Sequence, residues 1–129
     1  MAGEPPFPQS LLEFIQSCVP TFQAAEVLLF FASHPDRDFS VEEVVAQMRP
    51  TVITVPAVKE YTALFATQDL VTDAHGRFRY GPLSAAHEHA IGELARAYDE
   101  RPVTLIRVIY GVADSKIQSF ADSFKLQED

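Results

Sequence analysis

Ser40-Val41-Glu42-Glu43 is the tightest local constraint in this chain, because its polar ends satisfy each other only if a helix begins there. In such a capping box the serine hydroxyl accepts from the glutamate amide while the glutamate carboxylate reaches back to the serine amide. Val41, Val44, Val45 and Met48 then recur at helical spacing, and Arg49-Pro50 ends the run, since a residue before proline is pushed out of the helical region. After a connection through Thr51 to Thr54, a second helix is expected with Pro56 in its first turn, where the missing N–H does no harm. Its buried side is read as Val58, Tyr61, Leu64 and Phe65, and its outward side as Lys59, Glu60, Thr62 and Ala63. From Leu70 the period shortens. Leu70 to Asp73 and Arg77 to Tyr80 read as two strands about an Ala74-His75-Gly76 turn, with Gly76 supplying a positive φ, Phe78 inward, and Arg77 and Arg79 outward.

Helical patterns flank this helix, helix and hairpin. Leu11, Phe14, Ile15, Cys18 and Val19 lie on one stripe of a predicted helix from Ser10 to Val19, which Pro20 ends. Thr21 caps a second, apolar on almost every side through about Ser33, so it belongs at the centre of the core. His34-Pro35-Asp36-Arg37-Asp38 stops it. Beyond the hairpin, Ser84 to Tyr98 places Ile91, Leu94, Ala95 and Tyr98 on one side, and Arg101-Pro102 breaks it. Val103 to Ile109 makes a helix apolar nearly all round with Gly111 as its stop, and Asp114 or Ser115 caps a last one carrying Ile117, Phe120, Ala121 and Phe124. The reading is therefore mainly α with a small β-hairpin, divided into a flexible leader (1–9), a helix and hairpin domain (10–83) and a C-terminal helical extension (84–129). This extension packs on the N-terminal helix or forms a homodimer interface through Val103, Ile106, Ile109, Phe120 and Phe124.

A chain of 129 residues with 47% hydrophobic and 22% charged residues has enough apolar surface for one core. Met1 to Gln9 holds Pro5, Pro6 and Pro8 and no Lys or Arg, so it has neither the basic start nor the apolar stretch of a signal peptide. The longest purely apolar run, Val27 to Ala32, is far too short to span a bilayer, and the expectation is a cytoplasmic protein without membrane contact. The single Cys18 has no internal disulfide partner and falls on an apolar helix face, where a thiol acts as a small buried hydrophobe.

Net charge is −8, unevenly spread. Residues 1–39 hold one basic side chain against five acidic, residues 40–80 four against five, and residues 81–129 five against eight. The helix and hairpin segment is thus the least acidic part, and its cations are Arg49, Lys59, Arg77 and Arg79.

The stretch from Thr21 to Pro82 resembles the winged-helix domains of bacterial transcription regulators of the MarR and ArsR kind. The resemblance is carried by Ala25-Glu26-Val27-Leu28-Leu29-Phe30, Phe39-Ser40-Val41-Glu42-Glu43-Val44-Val45, Val58-Lys59-Glu60-Tyr61 leading through Leu64-Phe65 to Asp69-Leu70-Val71, and the exit Arg77-Phe78-Arg79-Tyr80-Gly81-Pro82-Leu83-Ser84. It covers about half of the chain and implies a winged helix-turn-helix with extra N- and C-terminal helices. In that family the helix after the turn reads the major groove, the wing touches the backbone or minor groove, and terminal helices make a dimer. Carried over, the DNA contacts would be Thr54, Lys59, Thr62, Arg77 and Arg79, joined by Arg49 among the module's cations.

Other chemistry has little foothold. His89 and Glu93 share a helical face, but His87 and His89 do not, and without CxxC or HExxH a zinc site would have to close between chains. GxGxxG, GxxxxGK[ST] and GxSxG do not occur, and Glu42-Glu43 and Asp99-Glu100 are adjacent pairs whose side chains project differently. No catalytic residue, metal or cofactor is expected. The leading functional reading is a dimeric DNA-binding transcription regulator; the alternative, since net −8 repels DNA at long range and steers a basic partner, is an acidic winged-helix module that binds protein instead. A third, a regulator with a small effector between core and terminal helices, has no residues that locate it.

Overall fold

The computed structural model describes residues 6–111. Within them the chain forms six helices and three short strands, mainly α with a small sheet as expected: α1 (Gln9–Cys18), α2 (Phe22–Ala32), β1 (Asp38–Ser40), α3 (Val41–Gln47), α4 (Val55–Thr67), β2 (Val71–Ala74), β3 (Arg77–Tyr80), α5 (Ala85–Glu100) and α6 (Pro102–Gly111). The helix starts follow capping chemistry. Thr21, Ser40, Thr54 and Ser84 each accept an amide hydrogen bond from the third residue beyond. Ser40 is the fullest case. Its hydroxyl accepts from the Glu43 amide at 3.1 Å and its own amide donates to Glu43 Oε1 at 2.8 Å, closing the capping box.

α2 runs through the centre, with Ala24, Ala25, Val27, Leu28 and Phe31 buried, and contacts α4, α5 and β3. α1 lies along α5, burying Leu11, Phe14, Ile15 and Cys18. Phe7, in the leader, is also buried, under the Arg101 guanidinium 5.1 Å from its ring centroid. The three strands form an antiparallel sheet in the order β1-β3-β2, with Phe39 opposite Phe78 and both rings on the core side. The hairpin turn places both His75 (φ 58°) and Gly76 (φ 81°) in the left-handed region, as a two-residue turn matched to strand twist requires. The third strand was not anticipated. Asp38 belongs to the expected break after α2, and Phe39 and Ser40 to the entry of the next helix, yet the three pair along β3 from Asp38 opposite Arg79 to Ser40 opposite Arg77.

Among the described residues no single helix is long and apolar enough to cross a membrane. The expected last helix, with Phe120 and Phe124, lies outside the described residues.

Candidate nucleic-acid interface

The residues expected to meet DNA do not form one cationic edge. On α4 the buried stripe is Val58, Thr62 and Phe65, with Tyr61 and Leu64 half-buried beside it. Thr62 therefore faces the core, which corrects its assignment as an outward contact. It lies four residues after Val58 and three before Phe65, on their face, and its hydroxyl is satisfied by donating to the carbonyls of Val58 (2.9 Å) and Lys59 (3.1 Å). Thr54 is exposed but serves as N-cap, its Oγ1 accepting from the Ala57 amide at 3.2 Å. Lys59 and Arg49 are exposed and make no ion pair among the described residues. The other exposed positions near the start of α4 are Val55, Pro56, Glu60 and Ala63.

The two wing arginines point outward from β3, as expected, but onto the chain's own oxygens. Arg77 Nε donates to Asp38 Oδ1 at 3.0 Å and its Nη2 lies 2.9 Å from Glu43 Oε1, while Arg79 Nη2 donates to the Asp36 carbonyl. Both arrangements follow from β1, which pairs Asp38 alongside β3 and leaves Asp36, two residues earlier, within reach of Arg79. The mutual charge shows in the titration of the pair. Glu43 is held below the usual carboxylate range, first by the Ser40 amide and then by Arg77, and Arg77 is raised by Asp38 and Glu43. The shallow depression there, about 340 Å³, is lined by three arginines (Arg37, Arg77, Arg79) and three carboxylates (Asp36, Asp38, Glu43). Such a surface is close to neutral.

The dimer candidates divide. Leu105 and Ile109 are buried on the inner side of α6, so Ile109 (1% exposed) is a core residue, not an interface residue. Val103 (60% exposed) and Ile106 (37%) do face outward, joined at helical spacing by Tyr110, whose hydroxyl accepts from the Phe22 amide at 3.3 Å. Phe120 and Phe124 fall outside the described residues.

Among the described residues no group of three or more His, Cys, Asp or Glu side chains is placed to hold a metal. His89 Nε2 sits 3.7 Å from Glu93 Oε2, and Glu93 is already the acceptor of Ser10 Oγ at 2.9 Å. His87 is half-buried, packed edge-on to Phe14 at 5.5 Å. Cys18 is fully buried, and burial pushes its thiol up.

Sequence reasoning did not single out Asp38 as a partner of Arg77, nor Glu26, Tyr98 and Asp99, which come together beside Met48. The capping box already identified Glu43, but the strand that carries Asp38 is only three residues long, too brief for a period-two signal. No protein-family model, curated protein or solved structure matches the chain.

Proposed function

We propose that this chain is a winged-helix scaffold that binds another protein, in preference to a regulator that reads DNA. The observation that carries the reading is the neutral wing edge, where Arg77 pairs with the Asp38 and Glu43 carboxylates, Arg79 donates to the Asp36 main-chain carbonyl, and three carboxylates lie beside three arginines. An exposed ion pair is weak on its own, and a phosphate could displace it. The balance of charges is what persists. Three carboxylates beside three arginines leave little attractive field for a polyanion, and the remainder of the molecule is strongly acidic. The helix that would enter a groove adds little sequence readout, because its exposed start offers Val55, Pro56 and Ala63 with one Lys beside one Glu, whereas bidentate base contacts need Arg, Asn or Gln.

The alternative, a dimeric DNA regulator of the MarR or ArsR kind, is favoured by the order of elements and by the exposed Lys59 and Arg49. Gel-shift and anisotropy measurements with mixed genomic fragments at low salt separate the two. No saturable binding, together with a stoichiometric protein partner recovered on purification from the native cell, supports the protein-binding reading. Tight DNA binding that is lost on combined Arg49→Ala and Lys59→Ala replacement refutes it.

A further inference from the structure

Away from the wing, α2, the end of α3 and α5 enclose an open groove of about 520 Å³, within the range of sites that hold a few side chains or a small ligand. Its floor is apolar: Leu29, Phe30 and Met48 are half-buried, resting on the core below while their outer surface lines the groove beside the half-buried Ala95. Its wall carries Glu26 and Asp99, and among the described residues no Lys or Arg lines it. Glu26 is held in place. The Tyr98 hydroxyl donates to its Oε2 at 3.0 Å, and the Tyr98 ring is itself fixed by stacking on Phe22, 5.4 Å between centroids and 11° between planes. Burial, the bond to Glu26 and the two carboxylate charges all raise the Tyr98 phenol, so it stays a donor at neutral pH.

We infer that this groove is a docking site for a partner segment that presents a Lys or Arg beside apolar side chains, the cation meeting Glu26 and Asp99 and the apolar groups covering Phe30 and Met48. The inference rests on the protein-binding reading and names the partner's chemistry. Charge complementarity selects the occupant: among the described residues the groove offers two carboxylates and no lining cation, on a molecule of net −8 that attracts basic partners at long range. Met48 suits such a surface, since an unbranched thioether adapts to the shape of what it meets. Snorkelling geometry fits as well, because a lysine lays its aliphatic stem on apolar surface while its head stays with the carboxylates.

The test uses the full chain and a fluorescent leucine and lysine peptide of about four helical turns, amphipathic when helical. Its controls are a scrambled peptide of equal charge and a version with Glu for Lys. Anisotropy at physiological salt is expected to show saturable binding of the amphipathic peptide, weaker binding of the scrambled one and none of the acidic one. Amide shifts should centre on Phe30, Met48 and Tyr98. Glu26→Gln with Asp99→Asn should weaken binding about tenfold, the scale of a partly desolvated charge contact. Gln at position 26 still accepts from Tyr98, and position 99 is exposed, so the fold is retained. Glu42→Gln with Glu60→Gln removes the same charge elsewhere and should change affinity less than about twofold. Equal weakening by both double variants, shifts centred elsewhere, or no binding of the amphipathic peptide overturns the inference. If Glu26→Gln with Asp99→Asn leaves a co-purifying protein bound, the groove inference falls while the protein-binding reading stands; DNA binding through Arg49 and Lys59 removes the reading itself.

Discussion

Neutralising Asp38 and Glu43 together should raise the weak affinity for DNA expected of this protein. In Asp38→Asn with Glu43→Gln both ionic partners of Arg77 are gone, and net charge moves from −8 to −6. The wing depression, lined by three arginines and three carboxylates, keeps only Asp36 as an acid. Gln at position 43 preserves the capping box, which accepts either side chain, so α3 still starts at Ser40. Each cation that neutralises a phosphate adds about −0.9 to the slope of log affinity against log salt. Freeing Arg77 should therefore steepen that slope by about 0.9, which between 50 and 200 mM salt amounts to roughly a threefold to fourfold loss of affinity per freed cation. Anisotropy with a labelled duplex over that salt range measures it. The native chain should show weak binding whose slope does not change in Arg77→Ala, whereas in the doubly neutralised background Arg77→Ala should remove the added steepness. If the native protein already binds with a slope near −3.6 per chain, the value for four engaged cations, and Arg77→Ala lowers it by about one, then Arg77 is available to phosphate and the neutral-edge argument is wrong.

Phe39, buried against the rings of Phe30 and Phe31, opposite Phe78 in the sheet and holding β1 to the core, should cost about 3–5 kcal/mol when changed to Ala, read from urea unfolding; a loss below about 1 kcal/mol would mean that β1 does not anchor the sheet. Thr62→Val should change stability by less than about 1 kcal/mol, because the Val58 carbonyl keeps its helical partner, while Thr62→Arg should destabilise by several kcal/mol without gaining DNA affinity, and a stable Arg variant with tighter DNA binding would place position 62 outside. Stability should fall as pH rises past about 9, since Cys18, Tyr80 and Tyr98 all have folded-state values above their ordinary ones: their contribution is complete below the unfolded values and is lost as each deprotonates, so a melting temperature that rises between pH 8 and pH 10.5 contradicts this. Cys18 should react with a thiol reagent only in denaturant, at a rate that tracks unfolding.

The helices were legible because their signals are local. Thr21, Ser40, Thr54 and Ser84 announce starts through side chain to backbone bonds that span three residues, and Pro20, Pro35 and Pro50 announce stops. The wing was legible from Gly76 and from the alternation of Arg77, Phe78, Arg79 and Tyr80. Two kinds of fact were not. On α4 the expected stripe of Val58, Tyr61, Leu64 and Phe65 holds, with Tyr61 and Leu64 half-buried at its edge, and Thr62 alone departs, because a small polar residue passes for a surface one when its hydroxyl bond within the helix cannot be foreseen. Long-range charge pairing was the other. Asp38 and Arg77 are 39 residues apart, and nothing short of the β1 to β3 register says that they meet. The site was therefore visible as a list of cations and invisible as a field, since the field depends on which carboxylates the sheet brings beside them.

Glu43 ties the two problems together. Its Oε1 accepts from the Ser40 amide, so it belongs to the helix start, and the same oxygen lies 2.9 Å from Arg77 Nη2. An acid at this position fixes the entry to α3 and quenches the wing at once. A chain kept for DNA binding could hold the capping box with Gln, which leaves the arginine available to phosphate. Here the acid is present, and Asp38 from the neighbouring strand binds the same guanidinium. A box serving the helix alone explains one carboxylate at this edge; it does not explain two on one arginine. Arg77 fits better as a clamp between β1, β3 and the start of α3 than as a contact for nucleic acid. On that account Arg77→Ala should loosen β1, seen as faster hydrogen exchange at the amides of Phe39 and Ser40, whether or not any DNA is present. Unchanged exchange there would leave the clamp without support.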